Sequence, residues 1–253
     1  TTILQKNSTK SIKSFTAKFD GVDDIKSKFD ESEYARNIAK HLGTDHVEVT
    51  INAKDVLEII PKIGRFFSEP FSDSSQVPTY LICESIKSHG ISVALSGDGA
   101  DELFGGYNRH KLIPSINKYF GNLPTYIKNL INISLKSLPV SKKGLAQDKL
   151  QKFNAALLNS SKIEDIYDAL KSIQNYSEKD FSYSAKNNTY NFESFYKCKT
   201  KEESLMLADT ITYLTSDILV KLDRSAMASS LETRVPFLDK KVAEIAWMMP
   251  LKM

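Results

Sequence analysis

The chain has 253 residues, of which 41% are hydrophobic and 26% charged, and a formal net charge of +3; this excludes a disordered chain and a globally basic nucleic-acid binder. Two cysteines, Cys83 and Cys198, exclude a disulfide framework and point to a reducing compartment. With no run of about eighteen apolar residues to span a membrane and no secretory pattern in TTILQKNSTK, a cytoplasmic protein with no membrane partner is expected.

Taken in chain order, IKSFTAKF (Ile12 to Phe19) is a strand candidate. DESEYARNIAKHLG follows as a helix with Asp30 as N-cap, Glu33 at the capping-box position and Gly43 as terminator. Its apolar residues Tyr34, Ala35, Ile38 and Leu42 are expected to face the core. HVEVTI is a second strand, Ala53 to Phe67 a helix, SQVPTYLICESIKSHG a helix ended by Gly90, and ISVALS a buried strand. Strands alternating with helices across short connections predict a parallel sheet with helices on both faces, an α/β fold.

From Asn108 the pattern turns helical, broken by Pro114, Pro124 and Pro139, and SYSAKNNTYNFESF reads as a polar loop. A long helix from Lys201 to Val220, a mixed stretch DILVKLDRSAMASSLETRVPFLD and a last helix from Lys240 toward Met249 complete the chain. The boundaries drawn from this are an α/β nucleotide-binding part at 1–107 and a mainly helical part at 108–253. Arg109 to Lys152 holds nine basic residues against one acid, Asp148; a solvated face accounts for it more simply than an anionic partner.

The stretch LSGDGADELFGGYNRH gathers Asp98, Asp101 and Glu102 with four glycines directly after the third strand. Ligands of open parallel sheets bind outside the carboxyl ends of the strands. Gly97 and Gly99 allow a tight turn, and a helix starting near Ala100 offers free amides to an anion. Three acids repel a bare phosphate, so a hard cation, Mg²⁺, is expected to bridge the carboxylates and phosphate oxygens. The plainer reading makes Asp98 a cap and the other acids partners of a helix dipole, worth about 0.3–1 kcal/mol each. The four histidines lack metal-ligand spacing and read as satisfied or exposed.

VALSGDGADELFGGYNRH, EPFSDSSQVPTYLI upstream and DILVKLDRSAMASSLETRVPFLD downstream together resemble the synthetase domain of glutamine-hydrolysing asparagine synthetases, in the same order and at comparable spacing. The resemblance implies an adenine nucleotide alpha hydrolase-like core of the ATP pyrophosphatase type with a helical C-terminal part. It also implies ATP-dependent activation of aspartate as a β-aspartyl-adenylate, release of pyrophosphate, and displacement of AMP by ammonia. ATP and Mg²⁺ are the implied cofactors, with aspartate and ammonia, or glutamine through a glutaminase domain, as partners. A homodimer is the implied assembly.

Several members' features lack a counterpart here: the glutaminase domain with its leading cysteine, the Ser-Gly-Gly-x-Asp-Ser pyrophosphate loop with the core strand before it, and the catalytic lysine beyond PFLD. The chain therefore reads as a fragment that does not make asparagine alone. Carried over by position, Asp101 is the carboxylate that helps hold Mg²⁺ and pyrophosphate. Asp98 stands where the family often has Glu, which orients ammonia or accepts its proton. Ser96, Gly97 and Gly99 contact nucleotide or acyl group, and Leu95, Phe15 and Ala17 line the adenine site. Asp73, Ser74 and Ser75 sit at the pocket mouth or cap a helix. Lys221 and Asp223 face substrate, whereas Glu232 and Arg234 form a buried brace.

The shorter Asp98 keeps open a related amidotransferase acting on a sugar acid or peptide carboxylate. A tRNA-modifying adenylating enzyme would use the basic segment, although nucleic acid is not the expected partner. A noncatalytic binding module is the third alternative.

Overall fold

The computed structural model of the chain describes residues 1–20, 30–137, 145–171 and 198–251. The polar stretch 182–195 and Pro139 lie outside them. In chain order the elements are α1 (Thr2–Lys6), β1 (Lys13–Phe19), α2 (Ser32–Leu42), β2 (Asp45–Ile51), α3 (Ala53–Phe66), α4 (Gln76–Ser88) and β3 (Val93–Leu95). They continue with α5 (Ala100–Phe104), α6 (Asn108–Phe120), α7 (Thr125–Lys136), α8 (Leu145–Leu158), α9 (Ile163–Lys171) and α10 (Lys201–Ile211). A π-helical turn, Leu214–Ile218, leads into α11 (Leu219–Ala228), β4 (Glu232–Arg234) and α12 (Lys240–Met248). The class is α/β, and the chain divides into two compact units, 1–98 with 215–239, and 99–214 with 240–253. The segment 215–239, read from sequence with the helical half, thus belongs to the first unit.

In the first unit β1 and β2 run parallel, from Lys13 opposite Asp45 to Phe19 opposite Ile51, with α2 in the crossover that parallel strands require. β3 pairs in parallel with β4, Val93 opposite Glu232 and Leu95 opposite Arg234. Among the described residues these remain two separate pairs. Cys83 and Ile86 of α4 pack with Ala226 of α11 and Leu231, and Phe15 and Ala94 lie against them. A second cluster joins Ile59 of α3 to Val77 and Tyr80 of α4. The start of α3 is fixed by a capping box in which the Asn52 side chain accepts from the Asp55 amide and Asp55 accepts from that of Asn52.

Three local expectations for this unit are corrected. The α2 helix starts at Ser32, whose amide donates to Asp30 Oδ1 at 2.9 Å; Gly43 does end it, in the left-handed conformation at φ 70°. Its buried residues are Ser32 and Ala39, while Tyr34 and Ile38 are 76% and 58% exposed. Two small residues let the helix approach the strands closely, and the larger side chains turn outward. The third strand is not buried, since Val93 and Leu95 are 46% and 51% exposed and, among the described residues, β3 pairs with β4 alone.

The second unit is helical. Ile113 and Ile116 of α6, Ala156 of α8, Ile166 and Tyr167 of α9 and Leu205 and Ala208 of α10 form one cluster. Pro114 does not break α6 but is buried inside it. The helix expected from Lys201 to Val220 is interrupted by the π turn, a form that inserts an extra residue into the ladder. Part of the basic run is also structural: Lys128 is buried, and its Nζ donates to the Gly121 carbonyl and, at 2.9 Å, to Ser161 Oγ.

Candidate active site

In the first unit, β3 leads into Ser96, whose amide donates to the Arg234 carbonyl at 2.9 Å. That bond extends the β3–β4 ladder by one residue and fixes where the chain leaves the strand. Ser96 Oγ then donates to Asp98 Oδ2, folding the turn back over Gly97. Burial and the nearby Asp98 charge push the Cys83 thiol up to about 11, so this buried cysteine is not a nucleophile at neutral pH.

Asp73, Ser75 and Lys221 meet at the start of α4. Asp73 Oδ1 accepts from the Ser75 amide at 2.8 Å and from Ser75 Oγ at 2.7 Å. Lys221 Nζ donates to Asp73 Oδ2 at 2.8 Å and to Ser75 Oγ at 2.7 Å. Burial alone would raise the Asp73 carboxyl; the bonds from Lys221 and Ser75 overcome that and hold it below the ordinary value. The acid that orders the turn before α4 also binds the lysine, while Ser75, the N-cap of α4, makes no side-chain cap bond. Ser74 lines a neighbouring cleft of about 720 Å³ walled by Val56, Ile60, Ile63, Phe67 and Phe71.

Other expected members are not brought to this cluster. Asp223 is exposed while Lys221 is buried, as residues two apart on a helix do not share a face. Glu232 and Arg234 are not a buried brace: Arg234 Nε donates to Glu232 Oε1 at 2.7 Å with side chains 68% and 54% exposed, so water supports both charges. Phe15 packs on the α4–α11 cluster and meets His89 edge to face at 5.3 Å. Ala17 sits opposite Val49 in the ladder.

In the second unit the acids of the motif separate. Gly99 takes φ 84°, a conformation glycine adopts at no steric cost, and α5 begins. Asp101 is exposed, whereas Glu102 is buried and accepts from Tyr107 Oη at 2.7 Å. Among the described residues no three His, Cys, Asp or Glu side chains gather as a metal site. Of the acids of the motif, Glu102 is turned into the fold. Asp101 remains, an outward carboxylate of the kind Mg²⁺ takes with phosphate oxygens. Gly106 lies so near that a Cβ there would fall on the Asp101 carboxylate.

Beneath this turn is a network that sequence reasoning did not find. Asp209 of α10 is fully buried and accepts from Arg109 Nε at 2.8 Å, His110 Nε2 at 2.7 Å and Tyr167 Oη at 2.7 Å. The Arg109 guanidinium lies 3.9 Å over the Tyr107 ring and 4.9 Å from that of Tyr213. Burial would raise the Asp209 carboxyl, but His110 and Arg109 hold it below its usual range. The one signal available in the sequence was an acid inside the apolar run LMLADTI. An acid placed there is either a functional group or the acceptor of buried donors.

Residues 1–253 match the asparagine synthase family over their whole length. The chain belongs to the asparagine synthase family. It is 31% identical over 242 residues to glutamine-hydrolyzing asparagine synthetase 1 of Bacillus subtilis, covering 95% of this chain and 37% of that protein. Shorter matches are to asparagine synthetase B of Escherichia coli, 34% identical over 37% of this chain and 16% of the relative, and to the Asparagus officinalis enzyme, 32% identical over 37% and 15%. The chain spans about a third of the length of the B. subtilis relative.

Proposed function

We propose that these residues form the synthetase part of an enzyme that amidates the side-chain carboxylate of aspartate at the expense of ATP. The observation that carries this reading is the glycine-flanked turn after β3, with Asp98 and Asp101 on it, in a chain of the asparagine synthase family. A carboxylate oxygen of aspartate attacks the α-phosphorus of ATP and pyrophosphate leaves. Ammonia then attacks the acyl carbon, AMP leaves, and a proton is lost from the nitrogen. Names of the relatives carry glutamine hydrolysis, and glutamine is the proposed ammonia source.

Asp101 is the residue that would hold Mg²⁺, which offsets the negative charge of the phosphate oxygens. Asp98, whose carboxylate accepts from Ser96, would orient ammonia or take its proton. Lys221 with Asp73 and Ser75 supplies a fixed cation and hydroxyl for an anionic substrate group. Phe15, Ala17 and Leu95 flank the adenine, and Ser96, Gly97 and Gly99 contact the nucleotide.

The test is pyrophosphate release from ATP and Mg²⁺ with aspartate and ammonia, in a chain of the relatives' full length, against Asp101→Ala. Aspartate-dependent release that falls by about 10²-fold or more in the variant, the size expected for a lost charge-stabilising group, supports the assignment. Release indifferent to aspartate sinks aspartate as acceptor and redirects the search to other carboxylates, for which the short Asp98 side chain leaves room.

A further inference from the structure

Asp101 is the outward member of a turn whose other residues are fixed from below. The Gly106 amide donates to the Asp101 carbonyl at 3.0 Å, and Tyr107 Oη donates to Glu102 Oε1 at 2.7 Å. One backbone bond and one side-chain bond thus close the same short stretch, with Gly105 at φ 70° making the reversal. Tyr107 is itself held, because Arg109 lies over its ring and is bonded to the buried Asp209. Glu102 is 1% exposed, too deep to meet a ligand arriving from solvent, so its acceptor oxygen serves the fold of the turn.

We infer that Glu102 and Tyr107 are positioning residues: their bond, anchored through Arg109 on Asp209, sets the direction in which Asp101 presents its carboxylate. The inference rests on the metal role proposed above for Asp101. Losing the phenolic donor leaves a buried carboxylate short of a partner, and a charged group in that position recovers its loss by moving. Any movement of Glu102 is transmitted to its neighbour on the same turn of helix, Asp101. The expected signature is therefore weaker capture of metal with pyrophosphate while the helical core stays intact.

The experiment uses a chain of the relatives' full length and two readouts, calorimetric binding of Mg²⁺ with inorganic pyrophosphate and the Mg²⁺ concentration for half-maximal pyrophosphate release. Tyr107→Phe keeps the ring under Arg109 and removes only the donor; both readouts are expected to weaken about tenfold, as for one charged hydrogen bond. Glu102→Gln keeps an oxygen for Tyr107 and is expected to stay within about twofold of wild type, well inside that loss. Wild-type binding by Tyr107→Phe overturns the inference alone. A loss in Glu102→Gln as large as in Asp101→Ala also overturns it, since the charge of Glu102 would then act on the ligand. Unchanged binding in Asp101→Ala removes the metal role itself, and the inference with it.

Discussion

Gly106 has no side chain, and that absence is what leaves room for the Asp101 carboxylate. Its φ is not positive, so the backbone accepts alanine and only the clash with Asp101 is added. Gly106→Ala is expected to lower pyrophosphate release nearly as far as Asp101→Ala, about 10²-fold, while changing the thermal midpoint little. An unaltered rate would mean that the exact direction of Asp101 is unimportant. The sequence pointed to this glycine-rich acidic turn without separating its acids, because burial depends on what packs beneath. Glu102 finds Tyr107, five residues on, and Asp209 finds three donors in α6 and α9. Contacts of the second kind join positions 42 to 100 residues apart and leave no local periodicity to read.

At the scale of elements, the start of α4 depends on a cluster that joins the turn before it to α11. Lys221→Met removes the ammonium that Asp73 and Ser75 share and leaves the partly buried Asp73 unpaired. It is expected to cost about 3 kcal/mol, the low end for breaking a buried pair, read from urea unfolding of the variant. A loss below about 0.5 kcal/mol, the size of an ordinary surface substitution, would make the pair incidental. The exposed Arg234–Glu232 pair has no such leverage, since water replaces either partner and exposed pairs contribute about 0–1 kcal/mol. Helices α2 and α4 were legible through the glycines that end them, Gly43 and Gly90. The orientation of α2 was not, because its most apolar stripe is not the stripe that fits against the strands.

Across the whole molecule, each compact unit holds a carboxylate withdrawn from solvent and kept below its ordinary value of 3.8, the half-buried Asp73 in the first and the buried Asp209 in the second; the first also holds Asp30 and Glu48, lowered nearer the surface. A carboxyl lowered on folding stabilises fully above its unfolded value, and that contribution disappears as pH falls through the lower folded value. Stability is therefore expected to drop below about pH 3.8 in both units. Asp209→Asn should flatten the part of that slope belonging to the helical unit, and an acid unfolding curve identical to wild type would count against the network. The α/β class was readable from alternation alone, but the division into discontinuous units was not. The return of 215–239 to the first unit is written in pairings such as Leu95 with Arg234, which no sequence window contains.

That return imposes an order on synthesis. Lys221 closes on Asp73 across 148 residues, so a ribosome making roughly 5–20 residues per second exposes the α4 partner face for roughly 7–30 s before α11 emerges. Cys83 and Ile86 wait through that interval without Ala226 and Leu231. The nascent first half is thus an aggregation-exposed species whose completion is timed by translation of the second, and a stop codon before residue 239 would strand it.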